Sequence, residues 1–148
     1  MTEPPDREII EARLESLRQT LDTLESLRGM TLDEYLGDAI RRSAAERLFC
    51  RLVEIAAEIN SHIATRVLKS APNDYYDSFV MASDAGALDR DFAASIAPSA
   101  GVRNRLVHEY GTVDHARVHT FIGKALELYR LYLREIVAFL DRAPGRPR

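Results

Sequence analysis

The chain has no tryptophan and a single cysteine, Cys50. One thiol cannot close an intrachain disulfide, so a disulfide scaffold is excluded and a reducing compartment is expected. No run of about 18 apolar residues occurs, so no membrane-crossing helix is expected. The start, Met1-Thr2-Glu3-Pro4-Pro5-Asp6, has neither the basic opening nor the apolar stretch of a secretory signal. The expected location is the cytoplasm. Alternating strand patterns and internal repeats are lacking, as are a nucleophile elbow and a glycine-rich phosphate loop. Lysine is almost absent: Lys69 and Lys124 are two of 20 basic residues, and the rest are arginine. Arginine favours bidentate phosphate contacts, although a GC-rich coding bias produces the same imbalance. The formal charge of -3 excludes a generally basic nucleic-acid binder. Any RNA contact must come from a local patch.

What is present is helical periodicity. With 46% hydrophobic and 29% charged residues in 148, the chain has the composition of one globular domain. Ile10, Leu14, Leu17, Leu21 and Leu24 place one apolar stripe on a helix from about Asp6 to Arg28, stopped by Gly29. Thr31-Leu32-Asp33-Glu34 matches a capping box and opens a short helix through Leu36. A long helix is expected from Asp38 to Lys69, with Ile40, Ala44, Leu48, Leu52, Ile55, Ile59, Ile63 and Val67 near one face. At 1.5 Å per residue it would reach roughly 45 Å, a length that suits a bundle or a dimer interface. Ser70 to Asp74 breaks the pattern. Short helices follow in the segment Tyr75 to Leu88, ending around Gly86, with Tyr76, Phe79 and Val80 on one side, and at Asp89 to Ala97, with Phe92 and Ile96 inward. Another runs from Gly101 to Tyr110, and Asp114 caps a last helix to about Asp141. The expected fold is all-α, an up-down bundle of three long helices plus short ones. A single domain spans 1–142, followed by a flexible tail at 143–148.

The chemistry concentrates in Arg103-Asn104-Arg105-Leu106-Val107-His108-Glu109-Tyr110. The pattern R-x(4)-H-x-Y combines a fixed cation, a group that titrates near neutral pH and a phenol. From the chain's own composition roughly 0.02 such matches are expected by chance. An arginine can hold the non-bridging oxygens of a phosphodiester, and a histidine can move the 2′-hydroxyl proton or protonate the leaving 5′ oxygen. Arg103 and His108 are the catalytic candidates. Asn104 could position the phosphate or brace Arg103, and Tyr110 could bond the phosphate or stack on a base. On a regular helix Arg103 and Tyr110 share a direction, whereas His108 points about 140° away from Arg103. Either the last turn is distorted or the site combines two copies of the chain; symmetric dimerisation is the preferred reading. The same residues also admit a purely structural account. In it Leu106 and Val107 are core, Arg105 and Glu109 form a surface pair, and Arg103, His108 and Tyr110 make helix-terminus hydrogen bonds.

This octapeptide resembles the signature of the HEPN superfamily, specifically of HepT-like toxins. The Leu-rich first helix, Thr31 to Leu36, Ala45-Glu46-Arg47, Glu54 to His62 and Asp114 fall in the family's order. The resemblance spans about Ile9 to Leu140. It implies a dimeric helical bundle with motifs from both protomers lining one cleft, and metal-independent RNase activity in a toxin. It further implies no cofactor, and a partner nucleotidyltransferase antitoxin that transfers AMP to the motif tyrosine, here Tyr110. Such a group would add bulk and negative charge near Arg103. Glu109 departs towards acidity and, with the net charge, implies weak, unselective RNA affinity.

Other constellations carry less. His115 and His119 are i,i+4, a spacing that can bind a metal, but no third ligand is evident beyond Asp114 and a solvated face is the simpler account. His62 could be a core or cleft residue. Glu54 and Asn60 could approach the cleft or be core-edge polar groups. Tyr75-Tyr76 reads as a packing pair. The alternative function is a non-catalytic dimeric module that regulates a nucleotidyltransferase.

Overall fold

In the computed structural model, residues 3–142 are described, and the tail expected at 143–148 lies outside them. Among the described residues the secondary structure is helical throughout. The elements are α1 (Arg7–Glu25), α2 (Leu32–Gly37), α3 (Ala39–Leu68), α4 (Tyr75–Asp84), α5 (Arg90–Ile96), α6 (Ser99–His108), a 3₁₀ turn (Tyr110–Thr112) and α7 (His115–Arg142). The all-α expectation, with three long helices and several short ones, holds.

The boundaries follow local chemistry. Asp6 caps α1 by accepting from the Ile9 N–H. The capping box forms as expected: Thr31 Oγ1 accepts from the Glu34 N–H at 3.1 Å, and Glu34 Oε1 accepts from the Thr31 N–H at 2.9 Å. Asp38 caps α3 through the Arg41 N–H, and Asp114 caps α7 through the Ala116 and Arg117 N–H groups. Gly86, at φ +86°, turns the chain after α4 in a conformation that non-glycine residues rarely adopt. This ends α4 at Asp84, two residues before the stop expected around Gly86. Helix α6 starts and ends two residues earlier than expected, so Tyr110 lies outside it.

Helix α3 is the axis of the molecule. The long helices α1 and α7 pack on it and on each other. Helices α4 and α6 cover another side of it, α5 joins α4 to α7, and α2 bridges α3 and α7. Every residue of the α1 stripe is buried, as are Val118, Ile122, Ala125, Tyr129, Tyr132 and Ile136 of α7.

The expected α3 stripe is wrong at its start. Ile40 is 84% exposed and Ala44 is exposed, whereas Ala45 and Phe49 are buried. The reason is angular: each step of four residues turns 400°, so stepping back by fours from Leu52 to Ile40 drifts about 120° off the buried face. Surrounded by neighbours, α3 buries more than one face beyond its first turns, including Leu52, Val53, Ile55 and Ala56. In α4 the inward residues are Ser78, Phe79 and Ala82, while Tyr76 and Val80 face solvent. Val107, read as a core residue in the structural account of the motif, is also exposed.

Candidate functional site

Helix α6 brings Arg103 onto α3. The guanidinium donates to Glu54 Oε2 from Nη2 at 3.0 Å and from Nε at 3.3 Å, and from Nη1 to Asn104 Oδ1 at 3.2 Å. Its carbon lies 4.8 Å from the centroid of the Tyr75 ring. The Arg103 and Glu54 side chains are each 16% exposed, so this ion pair is largely withdrawn from water. Asn104 braces Arg103, one of its two expected roles. Glu54 is the partly buried partner of Arg103, and Tyr75 serves as the ring on which the cation rests.

Glu54 gathers further charge. Arg47 Nη1 lies 3.6 Å and Arg51 Nη1 4.0 Å from its carboxylate. Arg47, Arg51 and Glu54 sit at i, i+4 and i+7, spacings that share one helix face. Three guanidiniums around one carboxylate leave a local excess of positive charge on a protein of net -3. Composition could not locate this local excess; the signal for it was the arginine spacing on α3.

His108 is the last residue of α6 and is exposed. The helix is regular up to it, and the backbone departs only at Glu109, at φ -134° and ψ 36°. A distorted final turn is therefore not what brings His108 to Arg103. Arg103 turns in towards α3 while His108 faces outwards. Within the single chain the two do not form one constellation.

The expectation that Tyr110 continues the Arg103 face is also corrected. Because α6 ends at His108, Tyr110 belongs to the 3₁₀ turn, and its phenol donates to Glu46 Oε1 at 3.0 Å. Glu46 is a buried carboxylate, 4% exposed. Its other oxygen, Oε2, accepts from the Tyr35 phenol at 2.5 Å and meets His115 Nδ1 at 2.7 Å. The Tyr110 and His115 rings pack edge-on with centroids 5.1 Å apart. Burial, and then the Glu46 carboxylate, push the Tyr35 phenol far above the usual tyrosine range, which keeps Tyr35 a proton donor. Sequence reasoning assigned Glu46 no part in the site. A carboxylate directly beside Ala45 and three residues before Phe49, on the buried side of α3, was the available clue.

The remaining candidates separate. His115 is committed to Glu46, while His119 Nε2 donates to the Met30 carbonyl at 2.8 Å, so the i,i+4 pair serves two different partners. Among the described residues no group of three or more metal-ligating side chains converges. Asn60 is fully buried and accepts from the Tyr132 phenol at 2.6 Å while donating to Ser78 Oγ at 3.1 Å. It joins α3, α4 and α7 and is no part of the cleft. His62 accepts the Asp6 N–H at 2.9 Å and anchors the start of α1. Burial raises the Cys50 thiol to about 11, which makes it a weak nucleophile.

Comparison with known proteins adds an independent line. Residues 14–136 match a family model described as ribonuclease HepT-like. The chain is 36% identical over 132 residues to the tRNA nuclease HepT of Aphanizomenon flos-aquae (strain 2012/KM1/D3), covering 89% of this chain and 90% of that protein. Among solved structures it resembles the tri-AMPylated Shewanella oneidensis HEPN toxin in complex with MNT antitoxin. That likeness has a TM-score of 0.79 at 18% identity and covers 88% of this chain and 97% of the other. YutE of Bacillus subtilis, described as a cytosolic protein of unknown function, also has a TM-score of 0.79, at 17% identity over 95% and 94% of the two chains. At these identities the structural likenesses speak for the fold. Among the described residues no helix is long and apolar enough to cross a membrane.

Proposed function

The chain belongs to the HepT-like ribonucleases, and from that membership we propose that it is the RNA-cleaving toxin of a toxin–antitoxin pair, acting in the cytoplasm. The observation that carries the reading is the Arg103 guanidinium, fixed by Glu54, Asn104 and Tyr75 five residues before an exposed imidazole. Five N–H donors leave Arg103 free to meet a phosphate while Nε and Nη2 stay on Glu54. The guanidinium stabilises the charge of the pentacoordinate phosphorus. The 2′-oxygen attacks the adjacent phosphorus, the P–O5′ bond breaks, and His108 moves the proton at one of these two oxygens. The step uses Arg103 and His108 and proceeds in the presence of a chelator.

Because Arg103 and His108 diverge on one regular helix, the working site draws them from two protomers of a homodimer. Complementation tests this. Arg103→Ala and His108→Ala are each inactive on RNA alone. When they are mixed and allowed to exchange subunits, random pairing restores about a quarter of wild-type activity, because half the dimers are mixed and each has one intact site. No recovery despite confirmed exchange overturns the shared site. Full activity of His108→Ala overturns the nuclease assignment and leaves a non-catalytic module.

The antitoxin partner is a nucleotidyltransferase that transfers AMP to Tyr110. The phenol is 45% exposed at the end of the motif helix. Tyr110 and Arg103 are held by Glu46 and Glu54, which are eight residues, about 12 Å, apart along α3. A phosphoadenylate there adds negative charge and bulk beside the arginine cluster and opposes entry of RNA. With ATP and the transferase, wild type gains adenylate mass and Tyr110→Phe gains none.

A further inference from the structure

The Glu46 cluster is not used in RNA cleavage as derived above, yet it holds the group that would be modified. This inference rests on the reading of Tyr110 as the AMP acceptor. We propose that Glu46 is the general base of that transfer, taking the phenolic proton as Tyr110 Oη attacks the α-phosphorus of the nucleoside triphosphate.

The two oxygens of Glu46 are divided between tasks. Oε2 receives Tyr35 at 2.5 Å and His115 at 2.7 Å, from α2 and the start of α7. Oε1 receives Tyr110 at 3.0 Å. The first pair fixes the carboxylate; the second contact points its remaining acceptor at the nucleophile. Two phenols touch this carboxylate, but Tyr35 is 1% exposed and Tyr110 is 45% exposed, so a nucleotide can reach only Tyr110. The edge-on His115 ring keeps the phenol from swinging freely.

The step balances. The Oη–Pα bond forms, and the bond from Pα to the β-phosphate oxygen breaks. Pyrophosphate leaves with that electron pair, and the phenolic proton moves to Glu46 Oε1. The proton then passes from Glu46 to water and restores the carboxylate. Departure follows from charge, since the new phosphodiester anion beside that carboxylate is repelled towards solvent and the arginine cluster.

A purely structural Glu46 would tie α2, α3 and α7 together without taking a proton, and the pH profile separates the two roles. Glu46→Gln keeps the size of the side chain and removes the base. The measurement is the initial rate of adenylate mass gain with ATP and the transferase, expressed as the ratio of variant to wild type from pH 7 to 9.5. The ratio is expected near 1:100 at pH 7, within the range for losing a general base, and to climb towards one as hydroxide replaces the missing base. A ratio near one at pH 7 overturns the proposal, as does a depressed ratio that does not change with pH. If Glu46→Gln does not fold, Glu46→Asp withdraws the carboxylate by one methylene and is expected to lose about tenfold with the same pH trend. The underlying reading fails separately: adenylate gain by Tyr110→Phe removes Tyr110 as acceptor. An inert Tyr110→Phe beside a normally modified Glu46→Gln removes only the base.

Discussion

At the scale of single residues, the polar groups inside this bundle divide into those that join helices and those that serve the site. Asn60 is of the first kind. Its amide binds Ser78 on α4 and the Tyr132 phenol on α7 with no exposure to water. Asn60→Ala removes one hydrogen bond each from the Ser78 hydroxyl and the Tyr132 phenol, which keep the Tyr75 and Ala56 carbonyls, and is expected to cost about 1–3 kcal/mol. Urea denaturation measures this, and RNA cleavage at a temperature where the variant stays folded should match wild type. A loss of cleavage in folded protein would place Asn60 at the cleft after all. The sequence could not separate Asn60 from Glu54: both are polar residues on one long helix, six positions apart. The difference lies in what α6 and α4 bring opposite them, which is tertiary information. Arg103, Asn104, His108 and Tyr110 stand out in the sequence because their order is a motif, whereas the contact of Glu46 with Tyr110 does not, because Glu46 lies 57 residues before the motif begins.

At the scale of helices, periodicity and capping signals located the seven α-helices of the described residues and set most ends to within a few residues. Periodicity misplaced the inward face at the start of α3 and in α4, and gave no sign of the 3₁₀ turn at Tyr110–Thr112. The docking of α1 on α3 has a titratable joint. His62 must stay neutral for Nε2 to accept the Asp6 N–H, and burial, followed by Arg66, lowers its pKa below the ordinary 6.5. A depressed folded-state value means that the unfolded chain binds the proton first as pH falls. The contribution of His62 is complete above pH 6.5 and is lost as pH drops below it. It is separate from the loss near and below pH 4.5, where the lowered carboxylates Glu25 and Asp38 take up protons. Chemical denaturation across this range should show wild type weakening just below pH 6.5. His62→Gln should flatten that segment and leave the acid limb intact. An unchanged slope in the variant would show that the joint does not titrate.

For the molecule as a whole, an acidic protein must bind a polyanion, and the answer is where the charge sits. The net charge of -3 is an average over 148 residues. On the proposed reading, RNA meets Arg47, Arg51 and Arg103, which surround a single Glu54. Such a patch binds through few phosphates and without reading bases, so affinity is low and insensitive to sequence. On single-stranded RNA each neutralised phosphate contributes about 0.7 to the slope of log affinity against log salt. Arg47→Ala and Arg51→Ala should each lower that slope by roughly 0.7 and weaken different RNA sequences by the same factor. Arg47 is the more exposed of the two, at 64% side-chain exposure against 41%, and lies the nearer to Glu54, at 3.6 Å against 4.0 Å. Fluorescence anisotropy with two unrelated oligonucleotides at several salt concentrations measures both quantities. A slope unchanged by either substitution would move the RNA path off α3. It would then have to run along the outer side of α6, past Arg105 and His108, with Arg103 reached only across the dimer.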